Sequence, residues 1–237
     1  MTTTNKVALI TGANKGIGLE IARQLGHQGI TVVLGSRDTG RGEAAAKLLK
    51  DEGIDAHTVK LEVTEASDRD TLPDYFQSHF GRLDILVNNA GIMVDGPDAG
   101  PEQFREGYEA NVIAPYFLTQ TLTPLLKANP AGRVVNHSSG LGSLTQNASG
   151  HFPLDWMLPI YNSSKAALNM LTIIQAAHFQ GTPVKVNAAH PGSVKTDMNK
   201  SGGLVVTEGA ETAVRLATLP DDGPTGGFFH KNDTLPW

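Results

Sequence analysis

"KVALITGANKGIGLEIARQLGHQG", residues 6 to 29, decides the fold. Val7 to Ile10 form a short apolar run of the kind that makes a buried strand. The period then changes: Ile17, Ile21 and Leu25 recur every four residues and line one face of a helix. Gly29 stops that helix. Between strand and helix lies "TGANKGIG" (11–18), which holds Gly12, Gly16, Gly18 and a lysine, Lys15. Gly12 permits the tight turn. Gly16 and Gly18 allow an anionic group such as a pyrophosphate to approach the helix N-terminus, whose free N–H groups favour negative charge. The spacing is G-x-x-x-G-x-G rather than G-x-G-x-x-G, and the G-K-[ST] of a triphosphate loop is missing.

Outward from this unit, strands and helices alternate. "ITVVLGS" (30–36), "DAHTVKLEV" (55–63), "LDILVNNAG" (83–91), "GRVVNHSSG" (132–140) and "VKVNAAHPG" (184–192) read as strands, with "GGFFH" (226–230) as a last one. Helices are expected over 40–53, 65–79, 101–128, 161–179 and 207–219. Regular alternation with apolar strands implies a doubly wound parallel sheet covered by helices on both faces, in a single domain (1–237). Residues 140–160 are the one long stretch without periodicity. They carry Leu141, Leu144, Phe152, Leu154, Trp156 and Met157, either as an irregular segment near the site or as a surface loop with its own apolar cluster.

The bulk numbers exclude several classes. A chain of 237 residues with formal net charge −5 is no general binder of nucleic acid or anionic membranes. The absence of cysteine removes disulfides, thiolate nucleophiles and Cys-based zinc sites. None of the eight histidines pairs at a metal-ligand spacing, so no metal is expected. His137 and His190 are expected to be structural. No apolar run reaches the length of a membrane span or a signal-peptide core, and a cytoplasmic location is the expectation.

Ligands of such a sheet bind beyond the carboxyl ends of its strands. After the second strand come Ser36, Arg37 and Asp38. An arginine there suits the 2′-phosphate of NADP, a carboxylate the ribose hydroxyl of NAD. Lys15 and Arg37 together would form a two-armed clamp on a 2′-phosphate, Arg37 as a planar fork and Lys15 as a point charge. Further on, "YNSSK" sets Tyr161 and Lys165 one helical turn apart on one face. An isolated tyrosine, with a pKa of about 10, is a poor base at neutral pH. The helix dipole and the ammonium are expected to lower it, allowing proton exchange with a carbonyl or alcohol oxygen. Ser138 and Ser139 follow the fifth strand at the same edge. "NHSSG" lacks the first glycine of G-x-S-x-G, which argues against a hydrolase.

"TGANKGIG", "NNAG" (88–91), Asn111, a serine after the fifth strand, "YNSSK" and "HPG" (190–192) stand in the order of the short-chain dehydrogenase/reductase family, which the chain resembles over essentially its whole length. "GANKGIGLEIA", "VVLGSRDTGRG" and the ending "EGAETAVRLATLPDDGPTGGFF" look most like its NADPH-dependent carbonyl reductase branch. The resemblance implies a Rossmann-type fold and an NADP(H) cofactor. It makes Ser139, Tyr161, Lys165 and Asn111 catalytic. Asn111 would hold a relay water through its main-chain carbonyl, and Pro115, which has no N–H, independently frees that carbonyl. It places Gly12, Asn14, Lys15, Gly16, Ile17, Gly18, Arg37, Glu62, Val63, Asn89, Ala90, Gly91, Pro191, Gly192, Val194 and Thr196 at the cofactor, with Tyr161 and Lys165. Glu62 stands where the family usually has aspartate.

The expected activity is reduction of a ketone or aldehyde by NADPH, with Tyr161 as general acid. An NAD-dependent alcohol dehydrogenase and a non-catalytic NADP sensor are the alternatives. The expected partner is a small carbonyl or alcohol. The family's association helices carry an apolar stripe here, Leu168, Leu171 and Ile174, which points to a homodimer or homotetramer. Against it, monomeric carbonyl reductases cover this face with an insertion where 140–160 lies.

Overall fold

The structure, a computed structural model, describes residues 5–237. Strands β1 (Val7–Thr11), β2 (Thr31–Ser36), β3 (Ala56–Lys60), β4 (Ile85–Asn88), β5 (Arg133–His137), β6 (Lys185–Ala189) and β7 (Phe228–His230) pair in parallel in the order β3-β2-β1-β4-β5-β6-β7. A two-residue β8 (Asp233–Thr234) adds antiparallel to β7. The order reverses between β1 and β4, so a crevice opens where the chain leaves the ends of these two strands, at Thr11 and Asn88.

Strand periodicity of two sorts the core. Ala8, Ile10, Val32, Leu34, Ile85 and Val87 face one side and pack on α1 (Gly16–Gly26), α2 (Thr39–Asp51) and α9 (Val206–Ala217). Val7, Leu9, Val33 and Leu86 face the other, under α4 (Leu72–His79), α6 (Ala114–Lys127) and α8 (Pro159–His178). Both sides are covered, as the uninterrupted apolar strands require.

Three expected elements differ. The helix over 65–79 is two, α3 (Ala66–Asp70) and α4, because Pro73 starts a new helix at its first turn. The helix over 101–128 is α5 (Pro101–Tyr108), a π-turn at Glu109–Ile113, and α6. Pro115 lacks the amide that an α-helical bond to Asn111 needs, and the backbone widens there. Residues 140–160 contain a 3₁₀ turn (Gly140–Gly142), α7 (Leu144–Ala148) and a second 3₁₀ turn (Leu154–Trp156). Of the apolar stripe on α8, Leu168 belongs to the core, being 2% exposed.

The amino-terminal end of the sheet is tied by a buried arginine. Arg133 donates through Nε and Nη2 to the Leu219 carbonyl (3.0 and 2.7 Å), and through Nη1 to the carbonyls of Gly132 (2.9 Å) and Pro183 (3.4 Å). Nη2 also reaches Asp221 at 3.0 Å. One side chain thus joins β5 to the segments after α9 and before β6. Arg133→Met is expected to strip donors from buried carbonyls at about 1–3 kcal/mol each. The urea midpoint should fall by an amount equivalent to about 2–4 kcal/mol, with the m-value unchanged.

Candidate active site

The site starts from the turn after β1. Gly12 (φ 63°) and Gly16 (φ 59°) occupy the left-handed region that glycine tolerates. Gly18 serves a different need. A Cβ there would stand 2.5 Å from Asn89 Nδ2 and 2.7 Å from the Gly12 carbonyl, so only glycine lets α1 approach β4. Asn89 Nδ2 donates to the Thr11 carbonyl at 2.9 Å. The Thr11 hydroxyl accepts the amides of Asn89 and Ala90, both at 2.9 Å, which joins the two lips of the crevice.

The N-terminus of α1 has no capping side chain and no acidic residue in its first turn. Beside Gly16 the space is open, with nothing within 4 Å of where a Cβ would be. Free amides around open space form a cradle for a phosphate group, so the turn fits a dinucleotide.

At the end of β2, Arg37 is exposed, 3.9 Å from Glu62. Asp38 is turned away, because its carboxylate caps α2 by accepting the Arg41 amide at 2.9 Å. Glu62 accepts from the Thr64 hydroxyl at 3.1 Å, and the Val63 carbonyl from Arg69 at 2.6 Å. Lys15, the other arm of the expected clamp, is exposed as well. It pairs with Asp197, on the segment after β6, with both side chains exposed. That segment is folded on itself. Val194 bridges Leu204, Thr196 and Asn199 close a turn, and Gly192 takes φ 84° after Pro191.

The reactive side chains gather at the ends of β5 and β6. Ser138 is buried and spends its hydroxyl on Asn169, whereas Ser139 accepts the Leu141 amide at 3.2 Å and acts on the Tyr161 phenol. The Lys165 ammonium donates to the His137 carbonyl at 2.9 Å and stands over the Tyr161 ring, 5.7 Å from its centroid. Gly91 leaves room for both neighbours, since a Cβ there would be 3.0 Å from Asn111 Oδ1 and 3.4 Å from Lys165 Nζ. Asn111 is also a structural tie, which its sequence position did not announce. Its side chain exchanges two 2.9 Å hydrogen bonds with the Ile92 backbone and donates to Ser164 at 3.0 Å. Its main-chain carbonyl lies inside the π-turn, where Pro115 offers no amide.

Burial sets the ionisation. It lowers the Lys165 ammonium to about 8. It holds the Tyr161 phenol above its ordinary range, and the Ser139 hydrogen bond pulls only part of the way back. The expected depression of Tyr161 is therefore reversed: loss of hydration outweighs the pull of Ser139. His137 falls to about 3, mainly by burial and further by the charges of Lys165 and His190. His190 falls to about 4, by burial and then His230. Its neutral ring accepts the Gly140 amide at 3.0 Å, steadying the residue after Ser139. Among the described residues no cluster of potential ligands fits a metal, and no helix is long and apolar enough to cross a membrane.

The sequence profile of the family described as short chain dehydrogenase matches residues 6–203. A carbonyl reductase [NADPH] 3 from Rattus norvegicus is 35% identical, with all of both chains covered. A (+)-neomenthol dehydrogenase from Arabidopsis thaliana is 36% identical over 96% of this chain and 97% of its own. The crystal structure of NADPH-bound carbonyl reductase from chicken fatty liver superposes with a TM-score of 0.86 at 28% identity, covering 98% of this chain and 99% of that one.

The buried ammonium has a consequence for stability. Below about pH 8, Lys165 is charged in both the folded and the unfolded chain, and its burial cost is constant. From there towards the unfolded value of about 10.4, the unfolded chain holds more protons, so this group's cost shrinks as pH rises. Urea titrations at pH 7, 8.5 and 10 should show Lys165→Met losing part of its stability advantage over the wild-type chain as pH increases. A pH-independent difference would refute the buried charge.

Proposed function

The chain belongs to the short-chain dehydrogenase/reductase family, and on that premise we propose that it is an NADPH-dependent reductase of ketones or aldehydes. The observation that carries this reading is the Tyr161 phenol. It carries its proton at neutral pH, with Ser139 beside it and the Lys165 ammonium over its ring, beyond the carboxyl end of β5. A protonated phenol is a donor, and reduction of a carbonyl needs one.

NADP(H), when bound, supplies the hydride. Gly12, Asn14, Gly16, Ile17 and Gly18 would receive its pyrophosphate at the start of α1. Glu62 and Val63 would flank the adenine, Asn89 to Gly91 would run beside the nucleoside, and Pro191, Gly192, Val194 and Thr196 would border the nicotinamide. Arg37 would meet the 2′-phosphate. Lys15 can join it, because an exposed ion pair such as Lys15–Asp197 is worth only about 0–1 kcal/mol and a doubly charged phosphate competes well. In the chemical step Ser139 polarises the carbonyl oxygen and Tyr161 gives it a proton. Lys165 steadies the phenolate left behind. The Asn111 carbonyl in the π-turn would hold the water that returns a proton to this pair.

Association is proposed through the face formed by the π-turn, α6 and α8, where Ile113, Phe117 and Met170 are exposed. Light scattering at micromolar concentration should give a multiple of the 25.1 kDa chain mass. A single species at that mass excludes the assembly.

NADPH oxidation with a panel of ketones and aldehydes tests the activity. The wild-type chain should turn over with NADPH and prefer it to NADH. Tyr161→Phe should lose about 10²–10⁴-fold in kcat while still binding NADPH. Ser139→Ala should be severely impaired, and Ser138→Ala should keep most of its rate. Arg37→Ala should weaken NADPH by about 10–100-fold and spare NADH, because a hydrogen bond to a charged group is worth about 1.5–3 kcal/mol. Preference for NADH, or absence of turnover on every carbonyl, would sink the reading.

A further inference from the structure

Helix α8 carries Tyr161 and Lys165 but begins without a local cap. Its N-cap residue is Leu158, which has no side-chain acceptor, and Pro159 supplies no amide. The first free donors are the amides of Ile160 and Tyr161. Both are taken by one carboxylate, 65 and 66 positions away in sequence: Asp95 accepts Ile160 N–H at Oδ1 (2.8 Å) and Tyr161 N–H at Oδ2 (2.9 Å).

We propose that Asp95 is a positioning residue for the reaction: by gripping the first turn of α8 with both oxygens it fixes where the Tyr161 side chain stands. This rests on the reductase reading of the site.

The grip closes a ring of contacts. The Tyr161 carbonyl accepts the Ser164 hydroxyl at 2.8 Å, and that hydroxyl accepts Asn111 Nδ2 at 3.0 Å. Asn111 in turn is bound twice to the Ile92 backbone. Ile92 and Asp95 lie on the same short loop after β4. The backbone of Tyr161 is therefore referenced at its amide and at its carbonyl to a single stretch of four residues. The neighbouring Ile160 is 1% exposed and rests on Gly107 of α5, where a Cβ would come within 2.5 Å of it. Charge-assisted hydrogen bonds are the stronger kind, and two of them to adjacent amides fix direction as well as distance. Losing them frees the first turn of α8. The rest of the helix stays packed on the sheet through Leu168 and its buried Thr172 and Gln175, the last two bonded to Asn136 of β5.

A displacement of about 1 Å at a reacting group can cost on the order of 10²-fold in rate. Asp95→Ala should accordingly lower kcat by about 10–100-fold, with NADPH affinity and substrate KM nearly unchanged. Its solvent deuterium isotope effect should rise, as proton donation from a displaced phenol becomes slower. Asp95→Asn keeps one acceptor oxygen and should fall between Asp95→Ala and the wild-type chain. Amide hydrogen exchange, read without cofactor or substrate, should show Ile160 and Tyr161 losing protection in Asp95→Ala while the β5 and β6 amides keep theirs. A kcat within threefold of wild type in Asp95→Ala overturns the proposal. So does a loss of kcat matched by equal loss of NADPH affinity and of the unfolding midpoint, which would mark an ordinary folding contact. If the wild-type chain reduces no carbonyl, the reductase reading fails, but the exchange result still tells whether Asp95 holds the helix.

Discussion

The reactive end of the molecule is organised around an ammonium group buried without a carboxylate in ion-pair range among the described residues. Lys165 has the His137 carbonyl as its fixed partner and the Tyr161 ring beneath it. Such a group is costly unless its surroundings are held firmly. That explains how much fixed polar structure lies behind it. Ser138 is locked to Asn169, and Asn169 to the Gly142 carbonyl. Deeper in, Asn88, Asn136, Thr119, Thr172 and Gln175 form a buried chain of hydrogen bonds joining β4, β5, α6 and α8. These bonds prevent the strands and helices from sliding, and the lysine is thereby kept at one depth.

The parallel sheet divides labour between its two ends. At the carboxyl ends, loops bring glycines, amides and reactive side chains together. At the amino ends, buried charges are spent on cohesion. Arg133 draws three segments together, and Asp84 accepts the Val7 amide while pairing with Arg82. Chemistry and cohesion are separated by the length of a strand, so the loops can hold unpaired donors without loosening the core.

Much of this was legible in the sequence because local rules decide it. The β1–turn–α1 unit is written in periodicity and three glycines, and the Tyr161–Lys165 pair in a four-residue spacing. The doubly wound order follows from alternation. What was hidden depends on distance in sequence. Nothing near Leu158 announces that Asp95 caps α8. Nothing in the glycine turn shows that Lys15 meets Asp197. The sign of the shift at Tyr161 is hidden for a related reason: a sequence displays the neighbouring lysine but not the burial that raises the phenol. The Ser139–Tyr161 relation could be placed only by family pattern, because 22 positions of mixed turn and helix separate them.

The π-turn at Glu109–Ile113 also sets helical phase. An α-helix advances about 100° per residue, and a turn closed by i→i+5 bonds carries one residue more than its neighbours. Everything beyond it is rotated by that angle relative to an unbroken helix. The face of α5 that receives Ile160 at Gly107 and the face of α6 that buries Leu118, Leu122 and Leu126 are thus set independently. Pro115 maintains this phase, because position 115 has no amide with which to close an α-helical bond to Asn111. The same widened turn carries the Asn111 side chain that ties the Ile92 backbone to Ser164, so one proline serves helix phase and site together.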